Sequence, residues 1–260
     1  ADEQPRAIVT VDNGFWIGTC EVTNEQFRRY DPSHDSGYFN KRFQSRDGPG
    51  LDLNQPRQPA VRVSWNEAIA FCRWLSAKTG KNITLPTEAQ WEYACRAGTA
   101  TELSFGEVDA DFSTFANVAD NALARPPTET GGLGSNHFSE ANNGVFESVI
   151  VAGNVVCDER FSDGVIATAA VGNFKPNSWN LFDGHGNAAE WTRSLYQPLP
   201  YNDHDGRNAI TAEGRRVVRG GSFRDRPSRC RSAFRLDYPQ WQPVPGVGFR
   251  VVCTSSEEQD

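Results

Sequence analysis

Three times in the first hundred residues, a residue able to cap a helix is followed three positions later by Gln or Glu and then by apolar residues at helical spacing. Thr23 with Gln26 introduces Phe27 and Tyr30 before Asp31-Pro32 stops the run. Ser64 with Glu67 introduces Ala68, Phe71, Cys72 and Leu75 at i, i+3, i+4 and i+7, and Gly80 ends it. Thr87 with Gln90 introduces Trp91, Ala94 and Cys95, with Gly98 as the stop. The spacing therefore predicts three helices. Apolar alternation predicts short strands at Ile8-Val9-Thr10-Val11 and Phe15-Trp16-Ile17-Gly18, joined as a hairpin through Asp12-Asn13-Gly14, and a closing strand at Gly248-Phe249-Arg250-Val251-Val252.

Elsewhere the pattern thins. Residues 33–60 mix Gly, Pro, Asp and Asn with aromatics, which predicts an ordered loop. From Thr99 to Trp179 only short apolar pieces interrupt Gly, Asn, Asp and Ser, a run too long to be free loop in a compact domain. Its many oxygens and few apolar anchors point to metal ions as the ordering agent. No internal repeat or linker divides the chain, so one α+β domain over residues 1–253 with an acidic tail at 254–260 is expected, and a monomer.

Composition narrows the function classes. A net charge of −7 over 260 residues argues against nucleic-acid binding, although ten arginines fall between Arg207 and Arg250. Only four of the 26 basic residues are lysine, which favours fixed, bidentate arginine contacts over flexible surface charge. No apolar run is long enough to span a bilayer. The even count of six cysteines and a start at Ala1 without any methionine fit an oxidising, secreted or periplasmic setting, ordinary buried thiols in a cytosolic protein being the alternative.

The densest chemistry lies between Arg219 and Cys253, where Gly220-Gly221, Ser222, Asp225, six further arginines with Trp241 and two cysteines crowd together. Two readings stand side by side: a hairpin whose connection carries a site, and a core hairpin whose arginines pair with carboxylates. Asp183-Gly184-His185-Gly186-Asn187-Ala188-Ala189-Glu190 offers two carboxylates and close main-chain carbonyls, which suits either a calcium ion or a polar turn. The four histidines, His34, His137, His185 and His204, lack the spacing of a zinc or iron site.

Five segments, Gly18–Phe27, Val61–Ala68, Leu85–Ala94, Gly186–Trp191 and Arg219–Cys253, together resemble the formylglycine-generating enzyme family, the sulfatase-modifying-factor domain with a variant C-type-lectin fold. The resemblance spans about residues 10 to 253 and implies that fold, with little regular secondary structure. It implies one calcium site at Asp183, Glu190 and the carbonyls of Gly186 and Ala188. A second would use Asn117, Asp163 and the carbonyls of Val118 and Val165. Active members hold copper(I) on two cysteines five residues apart after Gly-Gly-Ser, and here those positions carry Asp225 and Cys230, so copper is not expected. The family's structural cysteines, two positions away from Cys230 and Cys253, imply bridges Cys95–Cys230 and Cys72–Cys253; whether Cys20 and Cys157 form a third stays open.

The resemblance thus implies a calcium-stabilised binding or accessory module rather than a copper oxidase. Ser222, Arg224, Asp225, Arg226, Trp241 and Gln242 would contact a polar or anionic peptide or glycan. Two alternatives remain, an oxidoreductase of altered chemistry using Cys230 as nucleophile, and a displayed variable ligand-binding protein of the same fold.

Overall fold

In the computed structural model, residues 3–5, 7–11, 14–39, 50–124 and 157–254 are described. The three predicted helices form where the capping boxes place them. They are α1 (Asn24–Phe27), α2 (Trp65–Thr79) and α3 (Glu88–Arg96), each with the reciprocal side-chain and backbone bonds of a full box. These bonds satisfy amide donors that the first turn of any helix leaves without a partner. Helix α2 ends at Gly80 in the left-handed conformation. It turns Trp65, Ala68, Ile69, Phe71 and Cys72 inward, onto a core shared with Phe27, Trp191 and Phe249. The rings of Phe27, Phe71 and Phe249 pack with centroids 5.4 to 5.9 Å apart. A fourth, one-turn helix, α4 (Asn121–Ala124), was not anticipated.

The strands are short and fall into three sheets. β1 (Phe15–Ile17), β9 (Val252–Thr254) and β4 (Asn82–Thr84) make one, with β9 central and antiparallel to both neighbours. β2 (Tyr38–Phe39) pairs with β3 (Leu51–Asp52). The largest has the order β7 (Leu236–Pro239), β6 (Arg215–Arg219), β5 (Ala189–Leu195), β8 (Val247–Gly248), antiparallel except for the parallel β5–β8 pair. The N-terminal hairpin is therefore corrected: β1 pairs with the far end of the chain, Trp16 opposite Cys253, and residues 8–11 join no strand. Closure through β9 gives Phe15–Ile17 a partner on a sheet already backed by the core, which a two-stranded ribbon would lack. Asp12 and Asn13 of the expected turn lie outside the described residues, as do 40–49 of the first loop, the stretch 125–156 of the long irregular run and the tail 255–260.

What the sheets lack in length, buried arginines supply. Of the ten arginines between Arg207 and Arg250, five are buried: Arg207, Arg216, Arg219, Arg235 and Arg250. Arg216 lies 3.9 Å over the Trp65 ring and donates to the carbonyls of Arg193 and Ala209. Arg235 grips Glu88 bidentately at 2.6 and 3.0 Å, and Arg219 reaches Glu92 and the carbonyls of Ala233 and Phe234. The paired-arginine reading of the C-terminal stretch accounts for Arg219, Arg235 and Arg250, which pair with Glu92, Glu88 and Glu190. No helix among the described residues is long and apolar enough to cross a membrane.

Candidate functional site

The segment after β6 is a tight turn built by its own side chains. Gly220 and Gly221 both have positive φ, and a Cβ on Gly221 would lie 2.6 Å from the Cys230 sulfur, so the approach of the two segments needs glycine there. The Ser222 amide and hydroxyl donate to Asp225 Oδ2 at 3.0 and 2.8 Å, and the Asp225 amide returns a bond to the Ser222 carbonyl at 2.8 Å. Arg229 approaches Asp225 Oδ1 at 3.4 Å, and Ala119 donates its amide to the Asp225 carbonyl. Phe223 is buried edge-on against Phe39, over whose ring Arg224 also lies. The Asp225 carboxylate thus holds the turn closed.

The other ligand-contact candidates are spread more widely. Arg226 is exposed, Trp241 is 68% exposed in the connection between β7 and β8, and the Gln242 amide donates to the Pro239 carbonyl. Gly246, at the end of that connection, sits against Ser222 and Arg224, so a Cβ there would lie 3.4 Å from the Ser222 hydroxyl. The structure therefore brings Ser222, Arg224 and Asp225 together with Gly246, while Trp241 stands out into solvent. None of the six candidates lines either of two cavities, of about 310 and 530 Å³.

All six cysteines are free thiols, which corrects every expected bridge. Cys230 is wholly buried among Leu103, Phe112, Ala116, Val118 and Phe161, and that burial pushes its thiol well above the usual value. Cys95 faces the Gly184 carbonyl at 3.4 Å, the His185 ring at 3.5 Å and the Ser232 hydroxyl at 3.9 Å. The residue of the C-terminal segment that meets Cys95 is Ser232, two positions beyond Cys230. In the same way Val251, two positions before Cys253, packs on the cluster that contains Cys72. At β9 two residues advance about 6.6 Å, well beyond the ~3.8 Å between Cβ atoms that a disulfide allows, and Cys230 and Ser232 lie in irregular backbone after a 3₁₀ turn rather than in a strand. Sharing a face was therefore not enough. Cys20 lies beside Gly172 and Cys157 packs near Ala119 and Leu123, in different surroundings.

His185 fills the space between Cys95 and Cys230. Its Nδ1 donates to the Cys230 carbonyl at 2.7 Å and its Nε2 accepts from the Ser104 amide at 3.0 Å, so the ring is neutral with both nitrogens engaged. Burial lowers its pKa to about 4, and burial raises that of Cys95 to about 12, the reverse of an activated thiol and base pair.

The calcium candidates are partly assembled. Asp183, Gly186 and Asn187 have positive φ and carry the chain through a compact turn into β5. Glu190, however, has both oxygens engaged: Arg250 donates to them at 2.6 Å each, and the Trp91 indole donates to Oε2 at 2.7 Å. The unsatisfied oxygens belong instead to Asp183 Oδ1 and Glu21 Oε2, both buried without a partner. Asp183 Oδ2 accepts from the Gly172 amide and Glu21 Oε1 from the Asn187 side chain. Burial, reinforced by the neighbouring carboxylate, raises Glu21 well above its usual pKa, and burial raises Asp183 too. Three buried carboxylates against one guanidinium favour a cation or a shared proton, and the orphaned oxygens suit a hard ion. Glu21 is one residue that sequence reasoning missed; its sole signal is an acid set in the apolar-flanked Cys20-Glu21-Val22.

At the second site Asp163 accepts from the amides of Val118 and Val165 at 3.0 and 2.7 Å. Asp120, also missed, accepts from the Asp163 amide. Burial lifts Asp120 to about 6, and burial with the Asp120 charge lifts Asp163 to about 7. Asn117 is turned so that its amide donates to the Ala167 carbonyl and Asn187, leaving its Oδ1 without a partner. Among the described residues, no three His, Cys, Asp or Glu side chains converge as a metal-holding group, so any ion relies on amide and main-chain oxygens as well.

Residues 1–255 match the Sulfatase-modifying factor enzyme 1-like domain. The formylglycine-generating enzyme of Bos taurus is 30% identical over 211 residues, covering 77% of this chain and 45% of the relative. That of Streptomyces coelicolor is 32% identical over 211 residues, covering 78% and 55%. The "Inactive C-alpha-formylglycine-generating enzyme 2" of Mus musculus is 27% identical over 217 residues, covering 80% and 53%. The chain thus spans about half the length of these relatives. Among solved structures, PvdO from Pseudomonas aeruginosa superposes with a TM-score of 0.69 at 24% identity, covering 98% of this chain and 85% of that one. Treponema denticola variable protein 1 does so at 0.59 and 22%, covering 93% and 84%. These neighbours bear out the C-type-lectin-like α+β fold.

Burial predicts the behaviour of the thiols. In the native protein Cys72, Cys95 and Cys230 should resist alkylation by iodoacetamide, and all six cysteines should be labelled after unfolding without reductant. Mass mapping checks this, and rapid native labelling of Cys230 would contradict the burial described.

Proposed function

The chain belongs to the family of sulfatase-modifying factor enzyme 1-like domains, and on that footing we propose that it is a binding or accessory member, not a copper oxidase. One observation carries the reading: where the family chemistry needs two facing thiolates, this chain has the Asp225 carboxylate, tied into a turn by Ser222, and the Cys230 thiol, buried in an aromatic cluster. A carboxylate is a hard ligand and suits copper(I) poorly. Copper therefore does not fit. A buried, protonated Cys230 is equally unsuited to the nucleophile role. The relative named as inactive and the variable protein with this fold support a use of the scaffold apart from oxidation.

In this reading Arg224 and Arg226 offer guanidinium forks, and Trp241 offers exposed aromatic area to a polar or anionic peptide or glycan. Calcium is the resident ion proposed, held through Asp183 with Glu21 and the nearby carbonyls of Gly186 and Ala188, and at Asp163 with Asp120, Asn117 and the carbonyls of Val118 and Val165. Its contribution would be charge neutralisation and rigidity rather than chemistry. A secreted or periplasmic home would supply free calcium to such sites.

Two outcomes are expected. Incubated with copper(I), oxygen and a cysteine-containing sulfatase-motif peptide, the protein should form no aldehyde detectable by mass spectrometry; efficient turnover would refute the non-oxidase reading. Calcium added after chelation should raise the melting temperature, since an ion at about 100 times its Kd adds ~2.7 kcal/mol. Glu21→Gln and Asp183→Asn should each blunt that rise, and a calcium-independent melting temperature in wild type would remove calcium from the account.

A further inference from the structure

The cavity of about 310 Å³ opens beside the turn that leads into β5, and no residue of the Ser222 to Gln242 surface lines it. Phe105, Phe115, Pro176 and Leu181 give it apolar walls, and Cys95, Gly184 and His185, all buried, close it off. Phe105 and Phe115 stack with centroids 4.6 Å apart and an interplanar angle of 9°. Phe105 is itself held edge-on by Phe112 and His185, so the aromatic wall is fixed by the core behind it.

The polar groups around the cavity are mostly spent within the protein. Asn177 Oδ1 accepts the amides of Trp179 and Leu181 at 2.9 and 3.0 Å, and its Nδ2 donates to the carbonyls of Ala94 and Cys95. The Ser178 hydroxyl donates to the Ala97 carbonyl, and His185 has both ring nitrogens engaged. Asp183, the one acid in the wall, keeps Oδ2 on the Gly172 amide and Oδ1 out of solvent. A polyol bound here would leave hydroxyls unpaired, a cost that an apolar body avoids.

Lys175 is the exception. Its amide donates to the Thr114 carbonyl at 3.0 Å, Pro176 restricts its backbone from the other side, and its ammonium stands 5.2 Å over the Phe115 ring. Among the described residues, no carboxylate comes within ion-pair distance of that ammonium. A lysine on an open surface is simply solvated, but this one is held at the rim of an aromatic cavity, where an anionic head and an apolar body are met together. A dry cavity of about 150 Å³ accepts a benzene ring. Twice that volume suits one ring with a short acid tail. We propose that this cavity binds a small aromatic monocarboxylate, with its ring against Phe105, Phe115 and Leu181 and its carboxylate on Lys175. The site is separate from the Ser222 to Gln242 surface, so its failure would leave the function proposed for that surface untouched.

Ligand-observed NMR titration of the full chain with hydrocinnamate tests this, on chelated protein so that no ion at Asp183 receives the carboxylate. Wild type should bind the acid about fivefold more tightly than the neutral hydrocinnamamide, the upper range for an exposed charge pair. Lys175→Gln should remove that preference and leave the amide affinity unchanged, and Lys175→Glu should reverse it in favour of phenylpropylamine. Lys175 is exposed, so both variants should keep the fold, which an unchanged melting temperature checks. Equal affinity of wild type for acid and amide, an acid preference that survives Lys175→Gln, or no binding at about 10 mM hydrocinnamate would overturn the proposal.

Discussion

The ion pair between Glu190 and Arg250 is the constraint around which the molecule is arranged. Both side chains are buried, and a buried pair is tolerated only if its remaining donors and acceptors are satisfied. Here Arg250 also donates to the carbonyls of Gly18, Thr19 and Phe182, and Glu190 receives the Trp91 indole. One guanidinium therefore ties β5, the approach to β9, helix α3, the exit from β1 and the turn before Asp183. Segments without long ladders acquire fixed positions from such contacts, which explains an ordered domain with so few regular elements. Arg216 and Arg219 repeat the device on the other face of β6 and at α3.

The same pair decides what the Asp183 turn can do. With Glu190 committed to Arg250, the carboxylates left with one oxygen unsatisfied are Glu21 and Asp183, contributed by segments far apart in sequence. Their proximity follows from β1 closing against β9 rather than against residues 8–11. Charge is thereby concentrated beside the ion pair, not on it, so an ion would complete the frame instead of competing with it. At the Ser222 turn, the analogous economy uses Asp225 to satisfy local donors and leaves Cys230 to fill an apolar cluster.

Much of this was legible in the sequence and some was not. The capping boxes at Thr23, Ser64 and Thr87 located three helices because the bonds involved are local, three residues apart. The paired role of the C-terminal arginines was one of two open readings, and it became decidable only when Glu88, Glu92 and Glu190 were seen to face them. The cysteine pairs failed because Cys230 ends a 3₁₀ turn instead of lying in a strand, and because strand residues two apart share a direction but not a position; Ser232 meets Cys95, and Val251, not Cys253, packs on the cluster of Cys72. Glu21 and Asp120 were invisible because nothing in their own neighbourhood marks a carboxylate that folding will bury against another. The family resemblance supplied the fold, and Asp225, standing at the first of the family's two copper-cysteine positions, is what prompts the non-oxidase proposal.

The dependence of the scaffold on Glu190 and Arg250 is most directly measured by a double-mutant cycle, with Glu190→Leu, Arg250→Met and the double variant unfolded in urea under chelating conditions. Each single change leaves an uncompensated buried group and should cost about 3–5 kcal/mol. The account predicts that the double variant costs no more than the worse single change. Costs that add would contradict it, because they would mean that each residue is held by other partners and that the pair does not organise the fold.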